Sequence, residues 1–309
     1  MARRAVTFGA MAHMEQGATP DATSLLERKF MTKTKLALLF VVLACTGAFA
    51  QSAATVDSFY TPSLGKFKRY TLILPAKYDK SIHYPILYLL HGHSGDHSDW
   101  IKRTKIANYV KDLPLIVVMP DGENSWYVNS VVDPAHRFED YIITDLLQHL
   151  QQRYSIDTLR QAIAGLSMGG NGSAVLALRH PGRFRFVGSL SGAITIPRAM
   201  DDTSKRAGRY LGPTMRKAYG DRPGQFRRDH DVFQLSRQPR RDTLVYFYFV
   251  AGIQDEFNDF LPAHRELMEI LGTNKYAYEY HEMPGRHNWQ FWDREIQPIL
   301  KRMKEVMKF

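Results

Sequence analysis

The sequence predicts an α/β domain, a mostly parallel, doubly wound sheet with helices on both faces. Three observations carry this. Apolar runs of strand length alternate with segments of helical periodicity. Most of the runs from residue 84 onward lack polar alternation, and they end in Gly or Pro. Continuous apolar strands fit a parallel sheet covered on both faces, and strand–helix alternation is the sequence form of a doubly wound sheet.

In chain order the strand-like runs are YTLILP (70–75), YPILYLLHG (84–92), LPLIVVMPDG (113–122), QAIAGLSMGG (161–170), FRFVGSLSG (184–192), TLVYFYFVAG (243–252) and YAYEYHEMPG (276–285). Helical patterns lie between them at 98–113, 138–154, 171–184 and 260–272, and FWDREIQPILKRMKEVM (291–307) follows the last strand. Tyr141, Ile142, Leu146, Leu147 and Leu150 recur at three- and four-residue steps, so one side of that helix packs on the sheet while polar groups face water. Residues 193–242 are the least regular and most charged stretch, read as an excursion over the sheet edge, a small cap. At 309 residues, with 44% hydrophobic and 23% charged residues, the chain is long and apolar enough for a full core.

The first fifty residues read as a leader. In MTKTKLALLFVVLACTGAFAQS, Lys33 and Lys35 precede an apolar run from Leu36 to Ala44, and Ala48-Phe49-Ala50 follows. That is the pattern of a secretory signal peptide, with cleavage expected after Ala50. Its apolar core falls short of the ~20 residues that a membrane span needs, so no stable membrane insertion is expected. Met31 begins the pattern, so residues 1–30 read as an upstream extension or an unstructured tail. Cys45, the only cysteine, lies in the leader, where lipid attachment is the minor alternative because Val42-Leu43-Ala44 matches a lipobox poorly. A mature domain, 51–309, has no thiol for catalysis or zinc binding. The formal charge of +10, reduced to +7 by cleavage, is scattered in short clusters such as QFRRDHD. It implies a solvated basic surface, with no nucleic-acid partner.

Two segments carry chemistry. HGHSGDHSDW (91–100) poses a choice between a zinc site and a turn that offers backbone N–H groups to a reacting oxygen. GLSMG (165–169) matches Gly-x-Ser-x-Gly, follows the apolar QAIA and opens a helical pattern. That strand–turn–helix context lifts a serine hydroxyl above a sheet, with Ser167 at a helix N-terminus where partial positive charge favours a developing anion. The hydroxyl needs a base that is itself held in place, and in such folds acid and base follow the serine in that order. Of the downstream histidines, His180 falls in the helix after the serine, His230 in the irregular segment, His264 in a helix and His281 near a strand end. His287 follows a strand through MPGR and sits on the loop at its C-terminal edge, where open α/β sheets bind ligands. Asp255, three residues beyond the strand ending at Gly252, is the candidate acid, with Glu256 and Asp259 as competitors.

With these residues the chain resembles the putative-esterase branch of the α/β-hydrolases, which includes feruloyl and acetylxylan esterases, tributyrin esterases, S-formylglutathione hydrolases and mycolyltransferases. The resemblance covers nearly all of residues 57–307 and rests on YLLHGHSGDHSDW, VVMPDGENSWYVNS, FEDYIITDLL, AGLSMGGNGS, AGIQDEF and PGRHNWQFW in that order. It implies an α/β-hydrolase fold with Ser167 as nucleophile, Asp255 as acid and His287 as base. It also implies an oxyanion hole from the backbone N–H groups of Met168 and His93. HGHSGDH is one residue longer than the zinc signature, and zinc would leave the Ser–Asp–His series unexplained. The expected activity is a secreted serine ester hydrolase with no metal and no cofactor. Its expected substrate is an acylated plant polysaccharide or a fragment of one, with Trp126 and Trp289 as substrate-stacking candidates. A thioesterase or acyltransferase on the same triad is the alternative. A carbohydrate-binding module that retains the fold without activity is the rival from another class.

Overall fold

The computed structural model describes residues 54–238 and 244–309. The leader, Cys45 and the expected cleavage site lie outside the described residues, as do residues 239–242 of the excursion and Thr243 of the predicted strand.

Eight strands form one sheet: β1 (Thr55–Thr61), β2 (Lys66–Ile73), β3 (Tyr84–Leu90), β4 (Ile116–Pro120), β5 (Ile156–Leu166), β6 (Phe186–Leu190), β7 (Tyr246–Gly252) and β8 (Ala277–Met283). Their spatial order is β1-β2-β4-β3-β5-β6-β7-β8. The β1–β2 and β2–β4 pairs are antiparallel, and every other pair is parallel. All residues of β3, β4 and β6 are buried, as apolar strands covered on both faces must be. Ile86, Tyr88 and Leu90 join the core on one face, and Leu87 and Leu89 join the core on the other.

The second face is covered by α1 (Asp99–Arg103), α2 (Ile106–Val110) and α10 (Trp289–Met307). Phe291, Trp292, Ile296, Ile299, Leu300, Met303 and Met307 form the buried stripe of α10. Each such side chain contributes roughly 1.5–3 kcal/mol of apolar burial. The first face carries α3 (Phe138–Asp140), a π turn (Tyr141–Asp145), α4 (Leu146–Arg153), α5 (Met168–Arg179) and α9 (Phe260–Thr273), together with the cap helices α6 (Arg206–Tyr219), α7 (Gln225–Arg228) and α8 (Val232–Arg237).

The differences from the predicted elements have local causes. The single helix expected over 98–113 is two short ones, because Thr104 is extended (φ −136°, ψ 172°) and its hydroxyl bonds Trp100 O and the Ile106 N–H instead. Strand β1 was not predicted; TVDSFYT is a polar, alternating edge strand with only Phe59 and Thr61 buried. The excursion contains helices, and it is tied to α3 and the end of α5 by a buried carboxylate. Glu139 on α3 accepts from Arg179 (3.0 Å) and bonds His180 (2.7 Å), with His230 of the cap at 3.4 Å. Burial pushes the Glu139 carboxyl up, but these cationic and imidazole partners prevail and hold it far below the usual carboxylate range.

The chain reverses its direction of winding at β3, which has β4 on one side and β5 on the other. The C-terminal ends of β3 and β5 therefore lie side by side, with Leu90 opposite Gly165. HGHSG leaves one strand and GLSMG leaves the other, so the topology alone brings the two segments together at a switch point.

Candidate active site

The turn after β5 is sharp. Ser167 has φ 53° and ψ −116°, a conformation rare for a residue with a side chain, so its surroundings must impose it. Its N–H donates to Leu190 O (2.9 Å), and its own carbonyl accepts from Asn171 N (3.0 Å) and Ala193 N (3.0 Å). Gly165 and Gly169 make room: a Cβ on Gly165 would lie 2.6 Å from the Gly169 backbone, and one on Gly169 would lie 2.6 Å from His91 O. The hydroxyl is thus held at the start of the twelve-residue helix α5.

His287 stands on the loop after β8. Its N–H donates to Glu256 Oε2 (3.0 Å), and Arg286 Nε donates to Glu256 Oε1 (2.6 Å). Burial opposes ionisation of Glu256, but the His287 amide and the Arg286 guanidinium outweigh it and bring that carboxyl down to about 2. On the other side Asn288 caps α10, accepting the Phe291 N–H at 3.0 Å. The ring is wedged between Phe257 (4.8 Å) and Trp292 (5.0 Å), both edge-on.

Held this way, His287 Nε2 lies 2.9 Å from Ser167 Oγ and Nδ1 lies 2.8 Å from Asp255 Oδ2. The structure therefore brings together the three side chains picked out by position along the chain. Asp255 is itself fixed, accepting the Phe257 N–H at 2.9 Å, and its side chain is 1% exposed. Of its competitors, Glu256 anchors the His287 loop from outside and bonds its backbone, while Asp259 opens α9 without a bond to the imidazole. With Nδ1–H directed at a carboxylate, Nε2 faces the serine as a proton acceptor.

The turn after β3 is organised by its first histidine. His91 Nδ1–H donates to Gly92 O (2.7 Å), and Nε2 accepts the Gly122 N–H (2.8 Å). Burial pushes this imidazole's pKa down and keeps it neutral, as both bonds require. His93 and His97 point elsewhere, at Thr214 Oγ1 (3.1 Å) and Thr71 Oγ1 (2.8 Å). The three imidazoles are therefore each spent on a separate structural bond. Ser94 turns left-handed (φ 62°) and donates its N–H to Asn124 Oδ1 (2.6 Å). Among the described residues, neither the Met168 nor the His93 amide donates to a protein acceptor.

A cavity of about 370 Å³ opens over the serine, lined by Arg103, Leu211, Phe257, His287, Trp289 and Trp292 among others. Trp289 lies where a substrate ring can reach it. Trp126 does not, which corrects the expectation from sequence. It is fully buried, donates Nε1–H to Thr214 Oγ1 (3.3 Å) and packs behind the turn, because Trp126 and Tyr127 both adopt left-handed backbone (φ 59° and 58°) that swings them inward. Sequence reasoning missed Arg103, Leu211 and Phe257. Only Phe257 carried a signal, as an aromatic two residues beyond the candidate acid.

The family profile described as "Putative esterase" matches residues 61–303. The chain belongs to this family. It is similar to an acetyl esterase of Caldicellulosiruptor saccharolyticus, 26% identical over 81% of this chain and 97% of that protein. Among solved structures it resembles S-formylglutathione hydrolase from Staphylococcus aureus, at 25% identity and TM-score 0.64 over 81% of this chain and 98% of the other. It also shares the fold of a ferulic acid esterase, at 21% identity and TM-score 0.67 over 83% and 99%. The sheet is that of an α/β-hydrolase, and the chain is a carboxylic ester hydrolase.

Proposed function

We propose that this esterase is exported and hydrolyses acyl esters of plant polysaccharides or their fragments, acetyl or feruloyl, through a Ser167–His287–Asp255 triad. The observation that carries the reading is the single imidazole bonded at once to Ser167 Oγ (2.9 Å) and Asp255 Oδ2 (2.8 Å). His287 Nε2 takes the hydroxyl proton as Oγ attacks the ester carbonyl. Asp255 holds the tautomer and stabilises the imidazolium. The tetrahedral oxyanion is received by the Met168 and His93 amides, each worth roughly 3 kcal/mol of barrier. The alcohol departs with the proton from His287, leaving an acyl-Ser167 ester. Water, deprotonated by the same imidazole, then releases the acid.

The acetyl group draws support from the acetyl-esterase relative, and the aromatic acyl group from Trp289 on the cavity wall. Export rests on the leader sequence, and it argues against a cytosolic thioester as natural substrate. A panel of methyl ferulate, acetylated xylan and tributyrin, run with the wild type and Ser167→Ala, tests the reading. Hydrolysis of at least one of the first two, lost in the variant, is the expected result. Undiminished hydrolysis by purified Ser167→Ala would overturn the triad. Adding a sugar alcohol as acceptor separates hydrolysis from acyl transfer. N-terminal sequencing of exported protein should begin at Gln51.

A further inference from the structure

Arg103 and Arg206 raise the question of what lies over the serine besides a neutral ester. Arg103 lines the cavity and stacks over Trp289, its guanidinium carbon 5.7 Å from the ring centroid. Arg206, on the first turn of the cap helix α6, stacks over Phe257 at 5.5 Å, and Phe257 is the ring wedged against His287. Arg209 follows one turn later, and both Arg206 and Arg209 stack on the exposed Tyr210, at 5.1 and 5.9 Å.

The balance of charge matters more than the number of arginines. Asp99 on the cavity wall is matched by Arg103 at 3.5 Å, and Glu256 on the His287 loop is matched by Arg286 at 2.6 Å. Arg206 and Arg209 have no carboxylate within ion-pair distance among the described residues; Arg209 makes one long bond, to Ser204 O at 3.4 Å. Their charge is therefore uncompensated, Arg206's beside Phe257 of the cavity wall and Arg209's one helical turn further along α6. The whole cap leans the same way. Residues 193–242 hold 12 Lys/Arg against 6 Asp/Glu, which places +6 of the chain's +10 in the segment carrying Leu211 of the cavity wall. A guanidinium stacked on an aromatic ring keeps its N–H edge free for two parallel bonds to a carboxylate, and stacking holds that edge in place.

We infer that the substrate is an anionic ester, one whose non-reacting part carries a carboxylate that Arg206 and Arg209 receive at the cleft mouth. This rests on the esterase reading of the same site and narrows it to acidic substrates, such as an acylated carbohydrate bearing uronate groups. A cleft of one sign raises the encounter rate of an oppositely charged ligand about tenfold or more, and added salt removes the advantage.

The test uses neutral and anionic twins. Acetylated methyl glucuronoside against acetylated methyl glucoside puts the carboxylate on the alcohol half, and monomethyl adipate against methyl hexanoate puts it on the acyl half. At low salt the wild type should prefer the anionic twin in one pair by about tenfold in kcat/KM, mostly through KM, and the preferred pair identifies the half that carries the charge. The preference should vanish near 1 M NaCl, where the screening length is about 3 Å. It should fall at least about fivefold in Arg206→Gln/Arg209→Gln and return in the double Lys variant, which keeps the charge. Both side chains are exposed, so folding is not at stake. Equal hydrolysis of the twins by the wild type, or a preference that survives the Gln variant, overturns the inference and leaves the esterase reading standing. Hydrolysis of no ester at all overturns both.

Discussion

The loops at the sheet edge and the cap above them contribute to one cavity but are built on different terms. At the sheet edge almost nothing is free to vary. Strands β3, β4 and β6 are buried throughout, the first ten residues of α5 are buried, and Ser167 is bonded through both its N–H and its carbonyl. The cap helix α6 buries one stripe, Ala207, Leu211, Met215, Ala218 and Tyr219 with two glycines, and leaves Arg206, Arg209 and Tyr210 in water. A reacting geometry tolerates little displacement, whereas a recognition surface needs only charge and reach. On the proposed reading, chemistry therefore belongs to the edge, and choice of substrate to the cap. Four substitutions test that division.

The largest effect is expected from Asp255→Asn. It keeps the shape of a side chain that is 1% exposed but removes the charge that fixes the His287 tautomer. The kcat should fall about 10⁴-fold with little loss of thermal stability. A small loss of activity would show that Glu256, or another carboxylate, supports the imidazole instead.

Gly169→Ala attacks the turn through its backbone. The new methyl would meet His91 O at 2.6 Å and Leu90 O at 2.7 Å, and neither carbonyl can move without disturbing β3 and the turn after it. A loss of about 3 kcal/mol or more in denaturant unfolding is expected. A stable, active variant would mean that the elbow is looser than its contacts imply.

Much of this edge was legible in the sequence, because its constraints are local and leave local marks. A glycine is needed where backbone meets backbone, and Gly165 and Gly169 bracket the serine for that reason. Strand ends announced themselves by Gly and Pro, which put Asp255 and His287 on one rim. The cap was less legible: glycines and arginines interrupt the apolar period of α6, so its stripe of small residues read as irregular chain. Trp126 failed for a subtler reason. Its direction depends on two consecutive left-handed residues, Trp126 and Tyr127, and neither type advertises that conformation. Arg103 needed the break at Thr104, which no residue pattern announced.

His264 gives the sheet side a pH signature. It is fully buried on α9, its Nδ1–H donates to Phe260 O (2.8 Å), and Nε2 has no partner among the described residues. Burial lowers its pKa to about 4, with the Phe260 carbonyl opposing. The folded state therefore resists a proton that the unfolded chain accepts near 6.5. Stability is full above that value and falls as the pH drops from about 6.5 towards 4, a loss of about 2 kcal/mol by pH 5. His264→Leu should flatten unfolding free energy against pH across this window. An unchanged slope would assign the acid sensitivity to another group.

The smallest effect is expected where the two regions touch. Thr214 of the cap donates its hydroxyl proton to Leu211 O (3.0 Å) and accepts Nε1–H of Trp126 (3.3 Å). Its contact with His93 Nε2 (3.1 Å) must then place the proton on that nitrogen, leaving Nδ1 to accept from Ser94 Oγ–H (2.9 Å). Burial, reinforced by His91, pushes the His93 imidazole's pKa down and favours this neutral form. One hydroxyl thus joins the cap to the residue whose amide is assigned to the oxyanion. Thr214→Val strands two donors and lets His93 shift, which should cost about 1 kcal/mol of barrier, or roughly fivefold in kcat, whereas Thr214→Ser should stay within about twofold. A loss approaching that of Asp255→Asn would break the division, because the cap would then be holding the reacting geometry and not merely choosing what enters it.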